Sequence, residues 1–255
     1  MRLRKAVAVF FVIFFVVFVI RAGEIKKDGK NTSKKSKNWK SSLFLSYTMS
    51  KGNSKGAAYS GQARLSYKTS GFFLSGSYEQ YYGKNEDKVN LNKGKAFITF
   101  NRKIKAGFNV SSSATYEYDR IAELDYRFNY GLGFSYLGGD KTKKSFSFTT
   151  NFVYEVDNYS IPEKEDKKNF RLQMLAQTNI NFLKYSYFEA TVLYTPNVIE
   201  ISDDYRVEIK SSIKFLMTSP IWFKFSVLNQ FNNKPPSDKI KKNDFTMVTG
   251  IELSI

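Results

Sequence analysis

Large apolar residues alternate with polar or small ones over most of the chain, from Trp39 to the last residue, Ile255. The clearest example is 124–136, where every second residue from Leu124 to Tyr136 is leucine or aromatic. Successive side chains of a β-strand point to opposite faces, so each such segment has one apolar and one polar face. The pattern predicts twelve strands, at about 39–50, 57–68, 71–82, 95–102, 104–118, 124–137, 143–157, 168–182, 185–195, 203–217, 221–233 and 243–255.

The connections between these segments alternate in length. Tight ones are predicted at 68–71, 101–103, 183–184 and 218–220, and long polar ones at 83–94, 157–167, 196–204 and 233–243. Outer-membrane barrels have short periplasmic turns and longer outer loops, and a tilted strand of roughly 9–11 residues crosses a bilayer. The sequence therefore predicts an all-β fold, a transmembrane antiparallel up-and-down β-barrel of about twelve strands over 39–255. Ten or fourteen strands stay open as alternatives, because 89–100 can be divided differently.

The N-terminus has the layout of an export signal. Arg2, Arg4 and Lys5 precede an apolar run from Ala6 to Ile20, and small residues follow it. The run is shorter than the roughly 20 residues of a spanning helix, so we interpret 1–22 as a cleaved signal peptide rather than a membrane anchor. Residues 23–38 are polar and rich in lysine, and they are predicted to form a flexible periplasmic segment. The expected location is the outer membrane, with its lipids and the barrel-assembly machinery as partners.

Composition narrows the chemistry further. The chain has no cysteine and no histidine, which excludes disulfides and histidine-dependent catalytic triads. No catalytic, cofactor-binding or metal-binding residues are predicted, and an enzyme is not expected. The formal net charge is +17, and loss of the four basic residues of the signal leaves about +13. An exported protein rarely meets nucleic acid, so phosphorylated lipid headgroups, acidic polymers or small solutes are the expected partners. The oligomeric state does not follow from the sequence.

The polar face of the strands carries many charges, and these are the candidate functional residues. The lumen-lining candidates are Arg64, Asp125, Arg127, Glu155, Arg171, Arg206, Glu208, Lys210, Lys214 and Lys224. One interpretation is a network of ion pairs that braces the barrel wall, since an intramembrane charge needs a partner or water. The other is a selectivity lining, in which Arg206, Lys210, Lys214 and Lys224 form a basic strip relieved mainly by Glu208. Such a strip would favour anions.

Two short motifs resemble a known family. Leu124-Asp125-Tyr126-Arg127 followed by Gly131-Leu132-Gly133, and Pro235-Pro236 with Asp244 before the final strand, are similar to the salt-induced outer-membrane protein family, whose function is uncharacterised. The similarity covers most of 39–255, although Ile255 stands where a terminal aromatic residue is usual. The resemblance implies an outer-membrane barrel with a link to osmotic or salt stress, and it supplies no catalytic or binding residues.

Three functions remain in view. The first is an envelope-structural barrel or a narrow small-solute pore, because open porin channels belong to barrels of 16–18 strands. The second is an anion-selective channel for small or acidic solutes. The third is a soluble, lipocalin-like binding barrel, which would turn the apolar face inward around a ligand.

Overall fold

The computed structural model describes residues 38–50, 56–85, 88–140, 144–160, 167–237 and 240–255. The predicted signal peptide and all of the lysine-rich segment except Asn38 lie outside the described residues. Twelve antiparallel strands follow one another around a closed barrel, which confirms the predicted fold. The strands are β1 (Trp39–Ser50), β2 (Gly56–Lys68), β3 (Phe72–Asn85), β4 (Lys88–Lys105), β5 (Phe108–Asp119), β6 (Leu124–Asp140), β7 (Lys144–Tyr159), β8 (Lys167–Leu183), β9 (Ser186–Pro196), β10 (Tyr205–Thr218), β11 (Ile221–Asn232) and β12 (Asn243–Ser254).

Two connections differ from the prediction. The long connection expected at 83–94 is replaced by pairing of β3 with β4 up to Asn85 and Lys88. The turn expected at 101–103 lies instead between Lys105 and Phe108, where Gly107 adopts a φ of +77°. Both errors have one cause, because the ends of β4 are polar and lack alternation. Strands outside the hydrocarbon layer still satisfy their backbone groups by pairing, so they continue without an apolar face.

The apolar face points outward. On β6, Phe134 is 62% exposed while its neighbour Ser135 is buried, and the same alternation recurs on the other strands. Aromatic pairs lie near both ends of the wall, Tyr59 with Tyr82 at the end of the longer connections, which we call the outer end, and Trp39 with Tyr67 at the end of the short turns. The lipocalin-like alternative required this face to turn inward, so it is wrong. Among the described residues there is no helix long and apolar enough to span a membrane.

The start of β6 breaks the predicted alternation. The register with β7 shifts between Leu124 and Tyr126, which marks a bulge at Asp125. Leu124, predicted to face lipid, is 6% exposed and therefore buried. Asp125 forms an ion pair with Arg120 of the preceding turn. A bulge adds one residue to one strand and so reverses the faces of the residues on one side of it.

Glycines permit close approach of the chain at two opposite strands. Over Gly131 of β6, the Asn151 amide donates a hydrogen bond of 3.2 Å to Ser113 Oγ, which joins β7 to β5 across the intervening strand. A Cβ on Gly133 would overlap the Thr150 carbonyl oxygen, and one on Gly250 of β12 would overlap the Leu45 carbonyl oxygen. Since β6 and β12 are six strands apart in the twelve-strand order, these two close approaches lie on opposite sides of the barrel.

The barrel closes where β1 meets β12. The register covers four positions, from Ser42 with Ser254 to Leu45 with Ile251, and two reciprocal backbone hydrogen bonds of 2.9 Å join Ser41 to Ile255 next to them. The predicted closure between the first and the last strand is confirmed. The prediction extended this pairing to Met49 and Phe245, whereas the observed register ends at Leu45 and Ile251. For comparison, β1 pairs with β2 along its whole length, from Trp39 to Ser50.

Candidate functional site

Ion pairs cross the lumen. Lys95 of β4 lies 3.2 Å from a carboxylate oxygen of Glu208 on β10, six strands away around the barrel. Lys210 of β10 lies 2.5 Å from Glu79 of β3. Because these side chains meet in the middle, the lumen is bridged at their level.

A third bridge lies nearer the outer end. The Lys93 ammonium group donates hydrogen bonds to Asp244 of β12 at 2.5 Å and to Gln230 of β11 at 2.9 Å. The Lys93 side chain is buried. Lysine is rarely buried unless a charged partner compensates it, and Asp244 is that partner here. We refer to the three pairs Lys93–Asp244, Lys95–Glu208 and Lys210–Glu79 as the lumen belt.

A second group of charges surrounds Glu155 of β7, which is fully buried at 0% exposure. Its carboxylate contacts Arg171 of β8 at 2.6 Å and Arg127 of β6 at 3.4 Å, and it also pairs with Arg206 of β10. We call these four residues the Glu155 cluster. A buried carboxylate is tolerated when several charged donors satisfy it, as here.

Two arginines of the Glu155 cluster also bind other carboxylates. Arg127 holds Asp157 through two hydrogen bonds of 2.6 and 2.8 Å and reaches Glu117 at 2.7 Å. Arg171 binds both carboxylate oxygens of Asp204 at 2.9 and 3.0 Å and thereby fastens the β9–β10 connection to the wall. Bidentate arginine–carboxylate pairs fix geometry as well as charge. The cluster therefore braces the outer half of the barrel.

A polar cavity lies beside the Glu155 cluster at the outer mouth. Its volume is ≈ 20 Å³, which accommodates about one water molecule. The residues that line it are Arg127, Asp157, Tyr159, Lys167, Asn169, Arg171, Asp204, Arg206, Asn232 and Lys234. At the rim and outside the strands, a hydrogen bond from Lys234 to Glu200 raises the pKa of that lysine.

The predicted basic strip is neutralised. Lys224 and Lys214 share Glu252 at 2.9 and 3.0 Å, and Lys214 also lies 3.5 Å from Glu189. The other two members, Arg206 and Lys210, pair with Glu155 and Glu79. The relief attributed to Glu208 was wrong, because Glu208 pairs with Lys95 across the lumen.

The other lumen-lining candidates predicted from the sequence lie in three different surroundings. Asp125 pairs with Arg120 in a turn, as described above, and Arg127 and Arg171 belong to the Glu155 cluster. Arg64 of β2 has no carboxylate oxygen within 4 Å among the described residues. Lys93 and Asp244 were missed because alternation is weak at the outer ends of β4 and β12.

No group of three or more metal-ligating side chains occurs within the described ranges. The chemistry that these residues offer is that of charge pairing and hydrogen bonding across a narrow lumen.

The chain matches the model of a protein family of unknown function, DUF481, over residues 44–254. It belongs to this family. The family description carries no reference to salt induction. None of the curated proteins matches the sequence.

Solved structures of outer-membrane porins and channels have a similar fold. The NanC porin superposes with a TM-score of 0.52 at 9% identity, over 84% of this chain and 98% of that chain. The KdgM porin gives 0.48 at 10% identity, over 84% and 99% of the two chains. An outer-membrane channel from Pseudomonas putida F1 gives 0.49 at 8% identity, over 88% and 100%. At 9% identity the likeness to the NanC porin shows the fold alone, which is that of an outer-membrane β-barrel.

Proposed function

We propose that this family member is a narrow small-solute pore of the outer membrane, closed at rest by the lumen belt. The carrying observation is the Lys95–Glu208 pair, which joins strands on opposite sides of the barrel. A solute that crosses must separate these side chains. Passage is therefore slow and limited to small molecules.

The size of the barrel supports this proposal. Interior width grows with strand number, and twelve strands lie between the roughly eight that side chains fill and the 16–18 of open porins. The NanC porin, named as a porin, shares the fold. Delivery through a cleaved signal peptide at 1–22 and insertion by the barrel-assembly machinery belong to the same proposal.

We expect the pore to be used when the salt concentration is high. Dissolved ions screen charge pairs that retain contact with water, and they screen buried pairs much less. Lys95 and Glu208 keep 23% and 20% of their side-chain surface exposed. High salt would therefore loosen this pair while the fully buried Glu155 keeps the wall together. This screening offers a physical mechanism for the link to osmotic or salt stress that the family resemblance implies.

Planar-bilayer conductance tests the pore. The variant Lys95→Ala/Glu208→Ala removes one bridge and leaves the net charge unchanged. We expect rare, small openings from the native protein and more frequent, larger ones from the variant. Raising the salt should increase native conductance more steeply than the conductivity of the solution.

The matched control is Lys234→Ala/Glu200→Ala, which removes an ion pair of the outer connections. Both of its side chains are about half exposed, and its conductance should stay native. If neither the native protein nor the bridge variant conducts at any salt concentration, the pore is wrong. The bracing by the Glu155 cluster would then favour an envelope-structural role.

A second candidate is an anion-selective channel. The neutralised basic strip does not supply such selectivity, and Arg64 is the lumen residue that favours it.

A further inference from the structure

Arg64 lies on the lumen face of β2. The same face carries Ser60, which is buried, and Gln62, which contacts Lys224 of β11 at 3.2 Å. In the register of the sheet, the neighbours of Arg64 on β1 and β3 are Ser42 and Ser77. Small hydroxyl side chains therefore flank the guanidinium, and neither neighbour offers it a negative charge.

The carboxylates around Arg64 are engaged elsewhere. Glu79 and Glu189 interact with Arg64 electrostatically, at separations beyond 4 Å. Glu79 is held by Lys210 at 2.5 Å, and Glu189 lies 3.5 Å from Lys214. Since each acid is in direct contact with a lysine, Arg64 is left without a carboxylate of its own within 4 Å in the part of the chain that the structure describes.

The position of Arg64 relative to the bridges is also defined. Gln62, two residues nearer the outer end on the same face, accepts a hydrogen bond from Lys224 and donates one of 3.3 Å to Glu79. Gln62 thus belongs to the bridged level of the lumen. Arg64 lies just on its periplasmic side, where a solute that has separated the bridges would arrive.

We propose that Arg64 is the anion-contacting residue of the lumen and that it pairs transiently with small oxyanions, such as carboxylates, during passage. Guanidinium is the side chain best matched to planar oxyanions, because its N–H groups bind both oxygens at once. The inference rests on the proposed pore and adds its charge preference. Selectivity then comes from Arg64 and not from the strip of basic residues on β10 and β11.

The test uses reversal potentials in a potassium acetate gradient. All recordings are made in the Lys95→Ala/Glu208→Ala background, which removes one of the three bridges of the lumen belt without changing the net charge of the lumen. We expect Arg64→Gln to lower the acetate-to-potassium permeability ratio about fivefold, or about 1 kcal/mol, the scale of one hydrated charge pair at about 4 Å. Arg64→Lys keeps the charge and should keep most of the preference.

The matched control is Arg102→Gln, which makes the same replacement at an exposed residue near the periplasmic end of β4 that faces away from the lumen. It should leave the ratio unchanged. Migration on unheated gels verifies that each variant is folded. If the background conducts and Arg64→Gln leaves the ratio at the control value, the inference about Arg64 is wrong while the pore stands. If the background does not conduct at all, the proposed pore fails and the inference fails with it.

Discussion

Replacing Glu155 by glutamine is the most direct perturbation of the barrel wall. The carboxylate is fully buried and receives Arg127, Arg171 and Arg206 from three other strands. Removing one partner of a buried ion pair costs about 3–5 kcal/mol, because the remaining charge is left uncompensated. For a chain of this size about 1 kcal/mol corresponds to roughly 2–4 °C in the unfolding midpoint. We therefore expect Glu155→Gln to lower the midpoint by about 6–20 °C.

The assay is the shift between folded and unfolded bands on gels after incubation at increasing temperature. Glu200→Gln is the matched control, because Glu200 forms an ion pair with Lys234 in which both side chains are about half exposed. Surface pairs contribute about 0–1 kcal/mol, so the control should move by only about 0–4 °C. If Glu155→Gln moves no further than Glu200→Gln, the Glu155 cluster does not support the wall, and our reasoning about it is refuted.

Two other predictions concern the backbone. Gly133→Ala places a methyl group against the Thr150 carbonyl oxygen, and we expect it to destabilise the barrel by about 1–3 kcal/mol, the cost of overpacking. Gly71→Ala has nothing within 4 Å of the added Cβ and should melt like the native protein. Equal melting of the two variants would contradict the close approach of the chains at Gly133. The chain has no native cysteine, so Leu43→Cys/Leu253→Cys should cross-link on oxidation because these positions are paired in β1 and β12. Tyr47→Cys/Thr249→Cys, beyond the last paired position, should cross-link poorly, and efficient oxidation there would show that the pairing continues outward.

Alternation was sufficient to predict the wall of the barrel, and the reason is physical. Lipid on one side and water or polar side chains on the other impose a period of two on each spanning strand. The prediction failed where this contrast is absent, at the polar ends of β4 and at the bulge that buries Leu124. Residues there are placed by backbone pairing alone.

The candidate site could be predicted only in part. Alternation indicated that Lys210 and Lys214 share a face with other charges, but it carries no information on which strands meet across the lumen. The partner of Lys210, Glu79, lies on β3, far away in sequence and on the other side of the lumen, and Lys214 pairs with Glu252 two strands away. The lack of a close partner for Arg64 likewise follows from three-dimensional placement.

The short β1–β12 junction has a consequence for the order in which the barrel assembles. Its four paired positions join residues separated by about 200 positions, from Ser42 with Ser254 to Leu45 with Ile251. Contacts between distant parts of a chain form late, because closing a long loop costs entropy before any pairing offsets it. We expect these few pairs to form after the eleven hairpin pairings and to separate first on heating. A peptide fused after Ile255 would therefore adjoin the strand pairing that forms last and could interfere with it. A peptide inserted in an outer connection would leave that pairing unaffected.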